Sequence, residues 1–182
     1  MLAILNRAPA VESVLSHGVR VNIRGTDRFH GVTPLMFASR IGAEVIVKLL
    51  VEKGARLNDT DSLGNTALIE AAKMGFLDTV KFLLLQGANP NAETNEHWTA
   101  LMFASHEGHV EVLESLLKYG ANYDSQNKFG MSPLMNASQN GHFEKLQTLI
   151  NRDANVNLTS ENGSTALMWA IRSGHEKTSE LL

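Results

Sequence analysis

The sequence has no cysteine in its 182 residues. A disulfide framework and a thiolate metal site are therefore excluded, and an intracellular, cytoplasmic setting is expected. It has no excess of positive charge, since the formal net charge is −3. Duplex nucleic acid, which is bound by neutralising phosphates, is not the expected partner. It has no apolar run near the roughly 18 residues that cross a bilayer, so no membrane insertion is expected. Met1-Leu2-Ala3-Ile4-Leu5 gives way at once to Asn6-Arg7, too short an apolar stretch for a signal peptide. Without that signal, the glycosylation-like triplets starting at Asn136, Asn157 and Asn162 read as chance matches.

Motifs that carry chemistry are also missing. There is no phosphate-cradling glycine loop with its Lys-Ser/Thr end and no G-x-S-x-G elbow. His106-Glu-Gly-His109 has a metal-like look, but its histidines are three apart where one helical face needs four, and Gly108 interrupts them. No enzyme, metal or cofactor is expected. The apolar share of 43% and charged share of 19% are those of an ordinary globular chain. Residues 1–60 hold eight Lys and Arg against five Asp and Glu, and the remainder eight against fourteen. Such a gradient either orients an acidic partner toward the N-terminal end or is ordinary surface variation, the simpler reading.

What is present is repetition. TPLMFAS from Thr33, TALIEAA from Thr66, TALMFAS from Thr99, SPLMNAS from Ser132 and TALMWAI from Thr165 start 33 residues apart, four times running. Each Thr or Ser stands where a helix N-cap belongs. Pro34 and Pro133 take the first helical position, where a missing N–H costs nothing. Leu35, Leu68, Leu101, Leu134 and Leu167 are expected in the core. Ala38, Ala71, Ala104, Ala137 and Ala170 let helices approach closely. Gly42, Gly75, Gly108, Gly141 and Gly174 end this first helix.

A second helix follows, with apolar triplets at i, i+3, i+4: Val47/Leu50/Val51, Val80/Leu83/Leu84, Leu113/Leu116/Leu117 and Leu146/Leu149/Ile150. Gly54, Gly87 and Gly120 close it, and turns such as Gly87-Ala-Asn-Pro-Asn91 come next. Gly31, Gly64, Gly130 and Gly163 then mark a hairpin-like loop two residues before the next cap. Asp153 and His97 replace two of these glycines and are among the residues that tolerate the left-handed conformation. The methionine series is expected in the core or between repeats.

A 33-residue unit with T-P-L, Gly-His at 108–109, 141–142 and 174–175, and G-A-x-x-N resembles the ankyrin repeat. The resemblance implies an all-α solenoid of stacked helix-turn-helix units with projecting loops, and a single domain over 1–182. It divides into a degenerate unit 1–26, full repeats 27–59, 60–92, 93–125 and 126–158, and a truncated repeat 159–182. In the degenerate unit Val11, Val14 and Leu15 repeat the second-helix stripe and Gly18 to Asn22 the closing turn. The chain stopping at Leu182 reads as a fragment of a longer array or as a frayed end. The His usual after T-P-L in the family is Met36, Ile69, Met102, Met135 and Met168 here, so its hydrogen bond is expected to be absent. The family also has loop asparagines that become hydroxylated. Asn58, Asn91 and Asn157 fit that pattern, although bonding within the turn is the simpler role.

In function the resemblance implies a monomeric protein-interaction module that binds another protein or peptide through its loop tips and concave helix face. The alternative is a regulatory or targeting segment of a larger enzyme or channel. The expected contact residues are Phe29, Val32, Leu63, Trp98, Phe129 and Met131 on the loops, and Arg40, Ile41, Lys73, Met74 and His106 on the helices. Leu63, Trp98 and Phe129 are expected to stand in one row of exposed tips, and exposed apolar rows mark interaction sites.

Overall fold

The computed structural model describes residues 9, 13, 20–26 and 30–182. Phe29 and the stripe expected at Val11, Val14, Leu15 and Gly18 lie outside these residues. From residue 30 onward ten helices alternate between an inner and an outer row. The inner row is α1 (Pro34–Arg40), α3 (Ala67–Lys73), α5 (Ala100–Glu107), α7 (Pro133–Gln139) and α9 (Ala166–Arg172). The outer row is α2 (Glu44–Glu52), α4 (Leu77–Leu85), α6 (Val110–Lys118), α8 (Phe143–Ile150) and α10 (Glu176–Leu181). Each inner helix packs on the next inner helix and each outer helix on the next outer one. That nearest-neighbour stacking defines a solenoid. Among the described residues the only β pairing is an isolated bridge between Glu93 and Thr99.

The inner helices start where the repeated Thr or Ser stands. Thr33, Thr66, Thr99, Ser132 and Thr165 are extended, and each hydroxyl accepts the third helical N–H at 3.2–3.4 Å. In the first repeat the thioether of Met36 returns the favour, accepting from the Thr33 N–H at 3.4 Å. At Met36 the family's histidine bond is thus replaced by a reciprocal cap, while Ile69, which has no acceptor atom, leaves it absent as expected. The two departures from glycine behave as their residue types allow, with His97 at φ 58° and Asp153 at φ 62°.

The core is the repeated apolar set: Leu35, Leu68, Leu101 and Leu134 below, and Val47, Leu50, Val80, Leu83, Leu113, Leu116, Leu146 and Leu149 above, all buried. Met36, Met102 and Met135 are buried with them. The last repeat departs from expectation. Leu167 is 37% exposed and Met168 55%. Their counterparts are each covered by the following inner helix, and among the described residues none packs on that side of α9.

Two polar ladders sew the units together. Asn22 Oδ1 accepts the Arg56 N–H at 2.9 Å, Asn58 Oδ1 that of Asn89 at 2.9 Å, Asn91 Oδ1 that of Asn122 at 2.7 Å and Asp124 Oδ1 that of Asn155 at 2.9 Å. The position needs an acceptor, so Asp serves as well as Asn. The side chains of Asn58 and Asn91 therefore bond the turn of the following repeat, not their own, whereas Asn157 bonds within its turn through its backbone N–H to Asn155 Oδ1 at 3.0 Å. The loops form the second ladder. Carbonyls of His30, Leu63, Glu96 and Phe129 accept the N–H groups of Ser62, Asn95, Lys128 and Glu161 at 2.7–3.1 Å.

Candidate interaction face

Helical spacing builds the site. The residue four past each cap is Phe37, Glu70, Phe103, Asn136 and Trp169, and three further on stand Arg40, Lys73, His106, Gln139 and Arg172. An i, i+3 pair shares one helix face, so the inner row presents three rings, interrupted by Glu70 and the buried Asn136, beside a strip of cationic and polar groups. The Arg40 guanidinium lies 5.3 Å from the Phe37 ring and that of Arg172 5.6 Å from Trp169. The Lys73 ammonium reaches across a repeat to the Phe103 ring, 5.2 Å away. A cation over an aromatic face is held by the ring quadrupole.

The loops join this strip at the third repeat. Trp98 stacks on Phe103 with centroids 4.8 Å apart and planes 30° from parallel, and meets the His106 ring edge-on at 5.8 Å. Trp98 is therefore half-buried against its own helix, not a free tip. The expected row of Leu63, Trp98 and Phe129 does not form. The loop ladder places Glu96 between Leu63 and Phe129, whereas Trp98 shares its register with Val32, Asn65 and Met131. Two residues make the difference: the outer register is open, with Leu63 63% and Phe129 57% exposed, and the inner one is covered. Met131, expected at a tip, is only 8% exposed, and Val32 is half-buried against the core.

Of the expected contact residues, Trp98, His106, Phe129 and Met131 come together around one cleft of about 410 Å³, with Asn127, Gln139 and Trp169 among its other walls. Arg40, Ile41, Lys73 and Met74 lie toward the N-terminal repeats, outside this cleft, and all four are exposed. Phe29 lies outside the described residues. His106 and His109 serve separate ends, His106 against Trp98 and His109 with Nε2 on the Lys73 carbonyl at 3.3 Å. Burial pushes the Glu70 carboxyl up from its usual range, opposed by the nearby Arg40 and Lys73.

Sequence reasoning missed Phe37, Phe103, Asn136 and Trp169. The available signal was variability: at four past the cap the residue is Phe, Glu, Phe, Asn and Trp, while its neighbours in the helix keep their type. Positions free of the repeat's packing demands are where a ligand-facing residue can differ.

These features define a helical-repeat protein with a ring-lined face. The profile of the family described as ankyrin repeats matches three times, over residues 1–94, 64–127 and 101–182. The chain belongs to the ankyrin-repeat family. Among curated proteins it is similar to the transient receptor potential cation channel subfamily V member 5 of Oryctolagus cuniculus, 39% identical over 66 residues. That match covers 31% of this chain and 9% of the relative. Member 6 of Rattus norvegicus is similar to the same degree, again with 31% of this chain and 9% of the relative covered. Among the described residues no helix is long and apolar enough to cross a membrane.

Proposed function

We propose that this chain is an interaction module that holds an extended segment of another protein, inside the cell and as a monomer, along the face shared by its inner helices and loops. Ankyrin repeats are generally protein-interaction modules. The observation that carries the reading here is the strip of Phe37, Phe103, Trp98 and Trp169 with Arg40, Lys73 and Arg172 laid over its rings. Preformed aromatic surface with adjacent cations is what binding hot spots are made of. Leu63 and Phe129 at the loop tips, and Ile41 and Met74 at the helix ends, extend it with exposed apolar surface. The short stretch shared with the channel relatives does not favour a channel segment over a free-standing module.

Panning a display library of random peptides against the chain tests this. Selected peptides should lose affinity by about tenfold or more on Phe103→Ala and none on Leu85→Ala, an exposed residue of the outer row. Peptides that depend on Leu85 and ignore Phe103 would place the binding surface on the opposite side.

A further inference from the structure

Helix position sets the charge of the inner row. Seven past the cap stand Arg40, Lys73, His106, Gln139 and Arg172, and no acid occupies that place in any repeat. Eight past the cap stand Ile41, Met74, Glu107, Asn140 and Ser173. Among these and the residues four past the cap, the acids are Glu70 and Glu107. Glu107 meets the His106 ring at 3.2 Å.

Arg40 and Lys73 stay uncancelled. Both are exposed, and neither enters an ion pair among the described residues. Each is steadied by a ring instead, Arg40 by Phe37 at 5.3 Å and Lys73 by Phe103 at 5.2 Å. A ring orients a cation without removing its charge. Both charges act on the carboxyl of Glu70, so they lie around one half-buried acid. The loop acids nearby are already engaged. Asp61 reaches Glu70 more weakly than either cation, and it accepts the N–H groups of Leu63 and Asn65 at 2.9 and 2.8 Å and the Asn65 amide at 3.0 Å. Asp59 pairs with Arg24 at 3.8 Å and Glu96 with Lys128 at 3.1 Å. Where α1 meets α3, the face therefore carries a positive surplus. The sequence leans the same way, with eight Lys and Arg against five Asp and Glu in residues 1–60.

The spacing suits an extended chain. Packed helix axes stand about 8–10 Å apart, and an extended chain advances about 3.3 Å per residue. A step of about three residues thus leads from one inner helix to the next. Phe37, Ile41 and Met74 are exposed around the two cations and offer apolar surface to the residues between.

We infer that α1 and α3 hold an acidic stretch of the bound segment, with two carboxylates about three residues apart, one on Arg40 and one on Lys73. Apolar side chains of the same stretch rest on Phe37, Ile41 and Met74. The inference rests on the interaction reading above and deepens it.

The test takes the peptides selected from the random display library against the whole chain and sequences those that depend on Phe103. They should be enriched in Asp and Glu at that spacing. Changing both acids of such a peptide to their amides should weaken it about tenfold. The double variant Arg40→Gln, Lys73→Gln should cost the same while its melt stays cooperative, and on it the amide change should cost nothing further. Glu70→Gln removes a competing carboxylate and should tighten the acidic peptide about threefold. Phe103-dependent peptides that are neutral or basic overturn the acidic stretch and leave the interaction reading intact. Acidic peptides indifferent to the double variant overturn it as well. A panning that returns no Phe103-dependent peptide fails the interaction reading itself, and the acidic stretch falls with it.

Discussion

The His142 ring lies over Gly108 and its Nε2 donates to the carbonyl of His106 at 2.9 Å. A carbonyl can only accept, so Nε2 carries the proton. His109 and His175 bond the carbonyls of Lys73 and Gln139 in the same way at 3.3 and 3.1 Å. A β-carbon on Gly108 would sit 2.8 Å from the His142 ring. Glycine and histidine of successive repeats therefore form one joint, and the Gly-His pair of the sequence is split between two interfaces.

That joint gives a pH dependence. Burial is the main cause that holds His142 below its ordinary value of 6.5, outweighing the bond to the His106 carbonyl. A depressed folded value means that the unfolded chain binds the proton more readily. The stabilisation is complete above 6.5 and is lost as pH falls through the lower folded value. Urea midpoints should drop on acidification from about pH 7.5, and His142→Gln should flatten part of that drop. An unchanged slope in the variant would remove His142 as its source.

Glu70 works in the opposite sense. Its folded value is raised from 4.5, by burial first. The stability linked to it is present below 4.5 and is lost as pH rises through the folded value. Glu70→Gln should accordingly raise the melting temperature at neutral pH and give no gain in acid. A fall at neutral pH would show that the attraction of the nearby Arg40 and Lys73 charges outweighs burial.

The loop ladder predicts unequal glycines. Gly54 and Gly64 both have positive φ, 86° and 84°. A β-carbon at Gly54 meets nothing within 4 Å, but at Gly64 it falls 2.7 Å from the Asn95 backbone nitrogen. Gly54→Ala should cost only the left-handed strain, about 1–2 kcal/mol. Gly64→Ala should add about 1–3 kcal/mol of overlap. Equal losses in denaturant titrations would mean that the loops are not packed as described.

Core and face should separate in melts. Leu101 is fully buried, and Leu101→Ala should cost about 2–5 kcal/mol. Leu85→Ala, at 68% exposure, should stay within about 0.5 kcal/mol. Trp98→Ala should fall between, at about 1–2 kcal/mol, because it loses the Phe103 stack along with part-buried area. A Trp98→Ala melt identical to the parent would restore Trp98 to the status of a free tip.

The sequence by itself determined the fold, because the fold is local. The capping threonines and serine, the leucine three residues before each alanine, and closing glycines act within one unit of 33 residues. Repeating the unit repeats the answer, even to His97 and Asp153 standing in for glycine. Periodicity also separated core from surface, and it failed at Leu167, where burial depends on a neighbouring helix and not on the residue itself.

Only the tertiary structure decided the site. Leu63, Trp98 and Phe129 look alike in sequence, but a shift of two residues in loop register turns Trp98 inward onto Phe103 and leaves the other two in solvent. Arg40 and Lys73 are 33 positions apart and act on the same Glu70 carboxyl because adjacent repeats stack. Which charges lack partners is a property of that packing. Periodicity reports what each residue does for its own repeat, and a binding face is made of what neighbouring repeats leave unmet.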